Sequence, residues 1–384
     1  MPATYGFLST NPPTQCGLAT FNAALAAHLT PGGTAGGVVR LLAGDDSASL
    51  GARPDPAAPR VVHTWHTDHS GGWAGATNAL NRFDIAIVQH EYGIYPGHDG
   101  DEVLPLLRNL RVPSIVVLHT VLSTPSPLQK SVLERIVAAA DAVVLMTDTA
   151  RQRLISGYRV DATKLSVIPH GAGSHTSAPR DRHAQPHLLT WGLLGPGKGI
   201  EWSLQALALL QDLPTPPTYT VAGRTHPKVL EQHGDVYRQS LQKLAADLGV
   251  ATQVRWDDVY HDQASLSRLI RSADVVVLPY DSTEQVTSGV LIEAVGAGVP
   301  VVATAFPHAV ELLADGPGLL VPHQDPRALA SAIRKILTQP ELAARLSGLT
   351  GGPTLRWPAV AARYQALATR LLATKAPNAT PVPA

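Results

Sequence analysis

The chain has 384 residues, 45% of them apolar, with 30 basic and 30 acidic side chains and a formal net charge of zero. That length accommodates two ordinary domains with a full core in each, and the balanced charge argues against a nucleic-acid partner. A lone cysteine, Cys16, excludes an intramolecular disulfide; with no signal-like start and no apolar run of bilayer-spanning length, the expectation is a cytoplasmic protein without stable membrane insertion.

Short β-branched runs alternate with longer helical segments, the pattern of a parallel sheet covered by helices. In the first half the strands are expected at Tyr5–Ser9, Gly37–Leu41, Arg60–Thr64, Ile85–Gln89, Ser114–His119 and Ala142–Met146. Helices are expected at Leu18–Leu29 after a glycine turn, at Leu128–Ala140 after Ser126-Pro127, and at Ala150–Gly157 after a threonine cap. From Pro169-His170-Gly171 onward the chain becomes polar and rich in proline and histidine, as linkers do. The alternation then restarts, with strands expected at Leu188–Trp191, Tyr219–Ala222, Gln253–Trp256, Val275–Leu278, Val299–Ala303 and Gly318–Val321. Helices are expected at Glu201–Leu210, Tyr237–Leu248, Leu266–Ser272, Ser288–Val295 and Pro326–Leu337, and a last one at about Pro358–Leu372. The reading is an α/β chain of two doubly wound units whose strand ends face a central cleft, where such sheets bind ligands.

Three strand-to-helix turns carry glycine. Gly17 lies in Asn11-Pro-Pro-Thr-Gln-Cys-Gly17, Lys198 in Gly192-Leu-Leu-Gly-Pro-Gly-Lys198-Gly199, and Ser288-Gly289 opens a helix bearing a carboxylate, Glu293, one turn further in. A helix N-terminus presents unpaired N–H groups and a positive dipole end to an anion, and glycine admits close approach. A carboxylate four residues on can accept hydrogen bonds from the vicinal hydroxyls of a ribose. Together these features suit the two ends of a nucleoside diphosphate, whereas each alone is matched by a packing glycine or a surface glutamate.

These residues resemble the retaining glycosyltransferases of family 4, which have the GT-B architecture of two Rossmann-like domains. The most specific stretch is Ser288 to Thr304, with Glu293-Ala-Val-Gly-Ala-Gly-Val-Pro-Val-Val-Ala-Thr; Ala273–Tyr280, Lys198-Gly199 and Val167-Ile-Pro-His-Gly171 also match. The resemblance implies an N-terminal acceptor-side domain at 1–172, a linker at 173–186, and a nucleotide-sugar-binding domain at 187–355. A C-terminal helix at 356–374 is expected to pack back on the first domain, followed by a disordered tail at 375–384. It further implies transfer of a hexose from a nucleotide-sugar donor, a GDP- or UDP-hexose, to a hydroxyl of a carbohydrate or lipid-linked acceptor, with the anomeric configuration kept.

By the same resemblance, Glu293 holds the ribose, the backbone N–H groups of Ser288 and Gly289 meet the diphosphate, and Lys198 neutralises the leaving β-phosphate. His119 touches the donor sugar, which favours a hexose with a free C6 hydroxyl, and Gly17 lies close to the reacting centre. Two positions depart from the family pattern. Its first motif glutamate falls on Gln285, and the arginine usual after the strand-ending glycine is Leu193. Arg224, after the next strand, is the candidate to take that arginine's place. Among these, His119, Lys198 and Gln285 are expected to act in catalysis. The chemistry requires fixed dipoles and cations around a leaving diphosphate, in a site that excludes water. No Asp-x-Asp motif of the sort that chelates a metal-bound diphosphate is read in the sequence, Asp257-Asp258 reads as solvated loop charge, and neither metal nor cofactor is expected.

His90, Glu91 and Tyr92 follow a strand end and are candidates for the acceptor, with a local turn network as the plain alternative. His63, His66 and His69 read as an acceptor-side loop rim better than as a zinc site, since no cysteine or carboxylate pattern accompanies them. Trp65 and Trp73 are either acceptor-lining or buried, and His226 either faces phosphate or closes a turn. The competing readings are a GT-B sugar phosphorylase or epimerase, and a non-catalytic sugar- or nucleotide-binding module; Gln285 and Leu193 keep the last one open.

Overall fold

The computed structural model describes residues 3–32, 35–44, 59–174, 184–314, 316–349 and 352–375. The tail from 376 and most of the expected linker, 175–183, lie outside the described residues. The chain divides into two compact units, residues 1–171 together with 357–384, and residues 172–356.

The first unit runs β1 (Tyr5–Ser9), α1 (Gly17–Leu29), β2 (Gly36–Leu42), β3 (Arg60–His66), α2 (Trp73–Leu80), β4 (Ile85–His90), α3 (Val103–Asn109), β5 (Ser114–Leu118), α4 (Pro127–Ala139), β6 (Ala142–Leu145), α5 (Asp148–Gly157) and β7 (Leu165–Val167). Its seven strands are parallel, in the order β3-β2-β1-β4-β5-β6-β7. Sequence order reverses between β1 and β4, so the crevice at this sheet's switch point is bounded by the segments that leave those two strands. The inner strands are continuous apolar runs because both faces are covered: every residue of Ile115–Leu118 is at most 1% exposed.

The last helix, α14 (Trp357–Lys375), belongs to this unit. Its apolar stripe Trp357, Val360, Ala361, Tyr364, Leu367 and Ala368 joins Phe21, Leu25 and Leu29 of α1 over one sheet face. Full burial of such side chains contributes about 1.5–3 kcal/mol each.

The second unit runs β8 (His187–Trp191), α6 (Ile200–Ala208), β9 (Thr218–Ala222), α7 (Pro227–His233), α8 (Val236–Asp247), β10 (Val254–Asp257), α9 (Gln263–Ser272), β11 (Val275–Leu278), α10 (Gly289–Gly296), β12 (Val301–Thr304), α11 (Pro307–Leu313), β13 (Gly318–Val321), α12 (Pro326–Thr338) and α13 (Pro340–Gly348). Its six parallel strands take the order β10-β9-β8-β11-β12-β13, and the reversal falls between β8 and β11. Separate cores cover its two faces, one built on Ile200, Leu204, Leu207 and Ile333, the other on Leu291, Ile292, Val295 and Phe306.

The helix-opening signals act as the sequence suggests. Ser126 and Gln129 form a reciprocal capping box at α4, while Thr147, Asp262 and Asp325 accept from N3 amides at α5, α9 and α12. Strand β7 and helices α2, α3, α7, α11 and α13 were not expected from the sequence. They span 3 to 9 residues, too short to show a clear period, and α2, α3, α11 and α13 have no side-chain cap.

Candidate functional site

In the second unit, the chain leaving β8 forms the turn Gly192–Gly199, and the chain leaving β11 leads through Tyr280 to α10. Both therefore flank the switch point. The glycines of the turn are structural requirements. Gly199 has φ +64°, and a Cβ there would stand 1.8 Å from the carbonyl oxygen of Pro279. Gly223, on the adjoining loop after β9, has φ +119°, and its Cβ would stand 2.0 Å from the Gly192 oxygen. The two loops are laced together by Leu194 N–H to Arg224 O and His226 N–H to Leu194 O, both 2.8 Å. A Cβ on Gly192 would meet Val290 at 3.7 Å, so the turn faces the first residues of α10.

Lys198 extends its ammonium over the face of Tyr280, 4.5 Å from the ring centre. Burial holds its pKa below the ordinary lysine value, and no charged neighbour among the described residues offsets this. The His226 pKa is also lowered, by burial first and then by Lys228 and Lys198. His226 closes the turn into α7, its ring accepting the Lys228 N–H at 3.2 Å. The Arg224 side chain is exposed, beside the turn that its carbonyl helps to hold.

The N-terminus of α10 departs from expectation at one atom. Ser288 is 3% exposed, its Oγ accepts from Leu291 N–H at 3.2 Å and its carbonyl from Ile292 N–H. Its own N–H donates to Nδ1 of His308 at 2.8 Å. The backbone donor expected from Ser288 is thus already occupied, and the amides left at the helix opening are those of Gly289 and Val290. Glu293, one turn on, receives the Gly173 N–H at 3.3 and 3.1 Å on its two oxygens. Gln285 is half-buried and donates from Nε2 to the carbonyl of Thr287, which folds it onto its own loop.

In the first unit the switch point collects Gly17, Gln89 and His119. Gly17 opens α1 behind the Cys16 cap, and an added Cβ would meet nothing within 4 Å, so packing does not explain the glycine. His119 Nε2 lies 2.8 Å from Gln89 Oε1; an amide oxygen accepts, so Nε2 carries the proton and Nδ1 keeps a lone pair. The Phe21 ring meets His119 edge-on at 4.9 Å. Burial, then His170 and His90, lower the His119 pKa to about 3, so the imidazole is neutral in ordinary buffers.

His90 is 0% exposed, its ring nitrogens reach no partner among the described residues, and burial lowers its pKa to about 4. Its ring lies beneath Tyr92 and Tyr95, so the direct acceptor contact expected of it is not available. Glu91 accepts from Tyr92 N–H at 3.0 Å and from Thr120 Oγ at 2.5 Å, and the Tyr92 hydroxyl reaches the Gln129 carbonyl at 3.4 Å.

Trp65 is 1% exposed, a core residue, and Trp73 is half-buried in α2. His63, His66 and His69 belong to no cluster of three or more metal-binding side chains, and none exists among the described residues. Asp257 is not solvated loop charge: it is 8% exposed and meets Arg255 and His261, each at 3.2 Å. Asp258 is exposed and pairs at 3.0 Å with buried Arg238, which also donates to the Gly223 carbonyl.

Gln89 was read only as part of the polar cluster Gln89–Gly93, without a role of its own, and His308 was missed by sequence reasoning. The two-residue period of a strand puts Gln89 on the same face as Ile85 and Ile87, towards α1, and turns His90 to the other, so alternation held that signal. His308 showed only as Pro307-His308 after a buried strand.

Two family profiles match the chain, "Glycosyltransferase Family 4" over residues 17–172 and "Glycosyl transferases group 1" over residues 185–339. A D-inositol 3-phosphate glycosyltransferase of Frankia alni is 30% identical over 305 residues, 70% of this chain and 73% of the relative. The chain belongs to the group 1, family 4 glycosyltransferases. Another family member, the D-inositol 3-phosphate glycosyltransferase of Streptomyces avermitilis, is 31% identical over 240 residues, 58% of this chain. This glycosyltransferase chain spans about half the length of that relative, 50%. Among solved structures, Anabaena HepE in complex with UDP and glucose superposes with a TM-score of 0.68 at 16% identity, covering 97% and 98% of the two chains. A Rickettsia africae glycosyltransferase superposes with a TM-score of 0.77 at 14% identity, covering 97% and 99%. The fold is therefore the expected GT-B pairing of two Rossmann-like units. No described helix is long and apolar enough to cross a membrane.

Proposed function

We propose that this family 4 glycosyltransferase moves a hexose from a nucleoside-diphosphate sugar to an acceptor hydroxyl, with retention of configuration and without a metal ion. The observation that carries the reading is Lys198, a desolvated ammonium paired with no carboxylate among the described residues, in a turn that faces the open amides of α10. A cation held so, next to a helix N-terminus, is matched to an incoming anion. The diphosphate meets Lys198 and the amides of Gly289 and Val290, with Arg224 as a further cation in place of the arginine replaced by Leu193. Glu293 takes the ribose hydroxyls in exchange for the Gly173 amide.

As the glycosidic bond breaks, negative charge grows on the leaving phosphate, and Lys198 with the α10 dipole stabilises it. The diphosphate oxygen so formed is the base for the incoming hydroxyl, which is why no protein carboxylate need attack. In the first unit, neutral His119 keeps an Nδ1 lone pair that can accept from a sugar hydroxyl, and Glu91 and Tyr92 are its candidates for the acceptor. The UDP and glucose named for Anabaena HepE support a UDP-hexose donor, and the Frankia and Streptomyces relatives support a phosphorylated cyclitol among the acceptors to be tried.

Calorimetry with UDP and GDP tests the donor site. Glu293→Ala is expected to weaken nucleoside-diphosphate binding at least tenfold in a folded protein; unchanged affinity removes the ribose assignment. An NMR time course of transfer reads the anomeric configuration of the first product, and an inverted product ends the retaining assignment.

A further inference from the structure

His308 lies in α11, the helix that follows β12, two elements after the donor-site helix α10, and no motif of the sequence assigns it a task. It is 4% exposed and touches one short segment twice. Its backbone N–H donates to the carbonyl of Gln285 at 3.2 Å, and its Nδ1 accepts the N–H of Ser288 at 2.8 Å. The two ends of the Gln285–Ser288 loop are therefore fastened to a single residue. Between them Val286 is buried at 3% exposure, which anchors the middle.

The consequence falls on the helix that follows. With the Ser288 N–H taken by His308, Oγ by Leu291 and the carbonyl by Ile292, Ser288 has no freedom to rotate. The first open amides of α10 are then those of Gly289 and Val290, and their direction is set by the cap. A backbone N–H can donate only to a lone pair, so the ring must keep Nδ1 unprotonated. A side chain that merely filled the space would leave the Ser288 amide buried without a partner, a costly state.

We propose that His308 is a positioning residue of the nucleotide-sugar site: its Nδ1 lone pair fixes the Gln285–Ser288 loop and so aims the opening amides of α10 at the diphosphate. This inference rests on the donor-site reading above and assigns His308 no contact with substrate.

The test compares His308→Asn, whose side-chain oxygen can stand where Nδ1 stands, with His308→Leu, which keeps bulk but offers no acceptor. UDP and GDP affinity by calorimetry, and donor KM and kcat, are measured for both alongside the wild type. The leucine variant is expected to lose about tenfold or more in diphosphate affinity and to raise donor KM, while the asparagine variant stays within about threefold of wild type. A folded leucine variant that binds like wild type overturns the inference, as does an asparagine variant that falls as far as leucine. If wild type itself binds neither nucleotide, the donor reading fails first and takes this one with it.

A measurement on the unmodified chain covers the case in which leucine prevents folding. Residue-resolved hydrogen exchange of the free wild-type protein should show the Ser288 amide protected and those of Gly289 and Val290 exchanging quickly. Equal, fast exchange at all three means that the bond to His308 does not form, and it overturns the inference whatever the protein binds.

Discussion

Replacing Lys198 with methionine separates a cation that works from one that merely packs. Methionine keeps the length of the stem and its apolar contact with the Tyr280 ring and removes only the charge. In the free protein two effects oppose each other. Loss of the cation–π contact costs about 0.5–2 kcal/mol, whereas relief of a dehydrated ion's penalty is worth several kcal/mol for a fully buried charge and less for this half-buried one. The Lys198→Met protein is therefore expected to melt at or above the wild-type temperature.

Proton linkage gives a second signature. The folded pKa lies below the ordinary lysine value of 10.5, so between the two values the unfolded chain binds more protons and wild-type stability rises with pH. The methionine variant lacks that rise. In turnover the charge loss should cost a factor of about 10²–10³, or about 2.7–4 kcal/mol of transition-state stabilisation. The assays are thermal unfolding of the free protein from pH 7 to 10, and steady-state transfer or donor hydrolysis at saturating donor. A variant that melts lower than wild type yet turns over within fivefold of it makes Lys198 a structural residue and removes the basis of the donor site.

His90, with a folded pKa of about 4 against 6.5 free, should cost the wild-type protein about 2 kcal/mol between pH 7.5 and pH 5, because only the unfolded chain gains the proton there. Urea titrations at the two pH values should show His90→Leu losing that much less, and equal losses would contradict the buried, unpaired ring. Gly199→Ala forces a left-handed residue against the Pro279 oxygen, so destabilisation beyond the 1–2 kcal/mol of that conformation alone is expected; a variant as stable as wild type in urea refutes the close approach. Arg238→Met leaves the Gly223 carbonyl without its donor, and a loss of about 1–3 kcal/mol together with weaker UDP or GDP binding is expected. Stability lost without any change in nucleotide affinity would detach Arg238 from the loop's role in the site.

What the sequence made legible follows from how local each signal is. Val275–Leu278 and Ile115–Leu118 read as strands because a strand buried on both faces needs no partner to be recognised, and Ser126 and Asp325 stand immediately before the helices they cap. The glycine turn at 192–199 was visible for the same reason, although the oxygens that forbid a side chain at Gly199 and Gly223 belong to other segments. Distant pairings were not visible. Glu293 meets Gly173 across 120 residues, and Ser288 meets His308 across 20, so a donor assumed to be open turned out to be held. His90 was favoured over Gln89 because chemistry was weighed before strand alternation, and alternation decides which of two neighbours enters the site.

The path of the polypeptide between its two bodies has a consequence for biosynthesis. Unit one begins with the first strand but is completed only by α14, after all of residues 172–356 have been made. The groove on α1 that Trp357, Val360 and Tyr364 fill therefore stays open throughout translation of the second body, with Phe21 and Leu25 unsheltered. A nascent chain that has emerged as far as Arg356 would carry a finished second sheet and a first one still missing its lid, and that earlier-made half is where chaperones would find a greasy surface to hold.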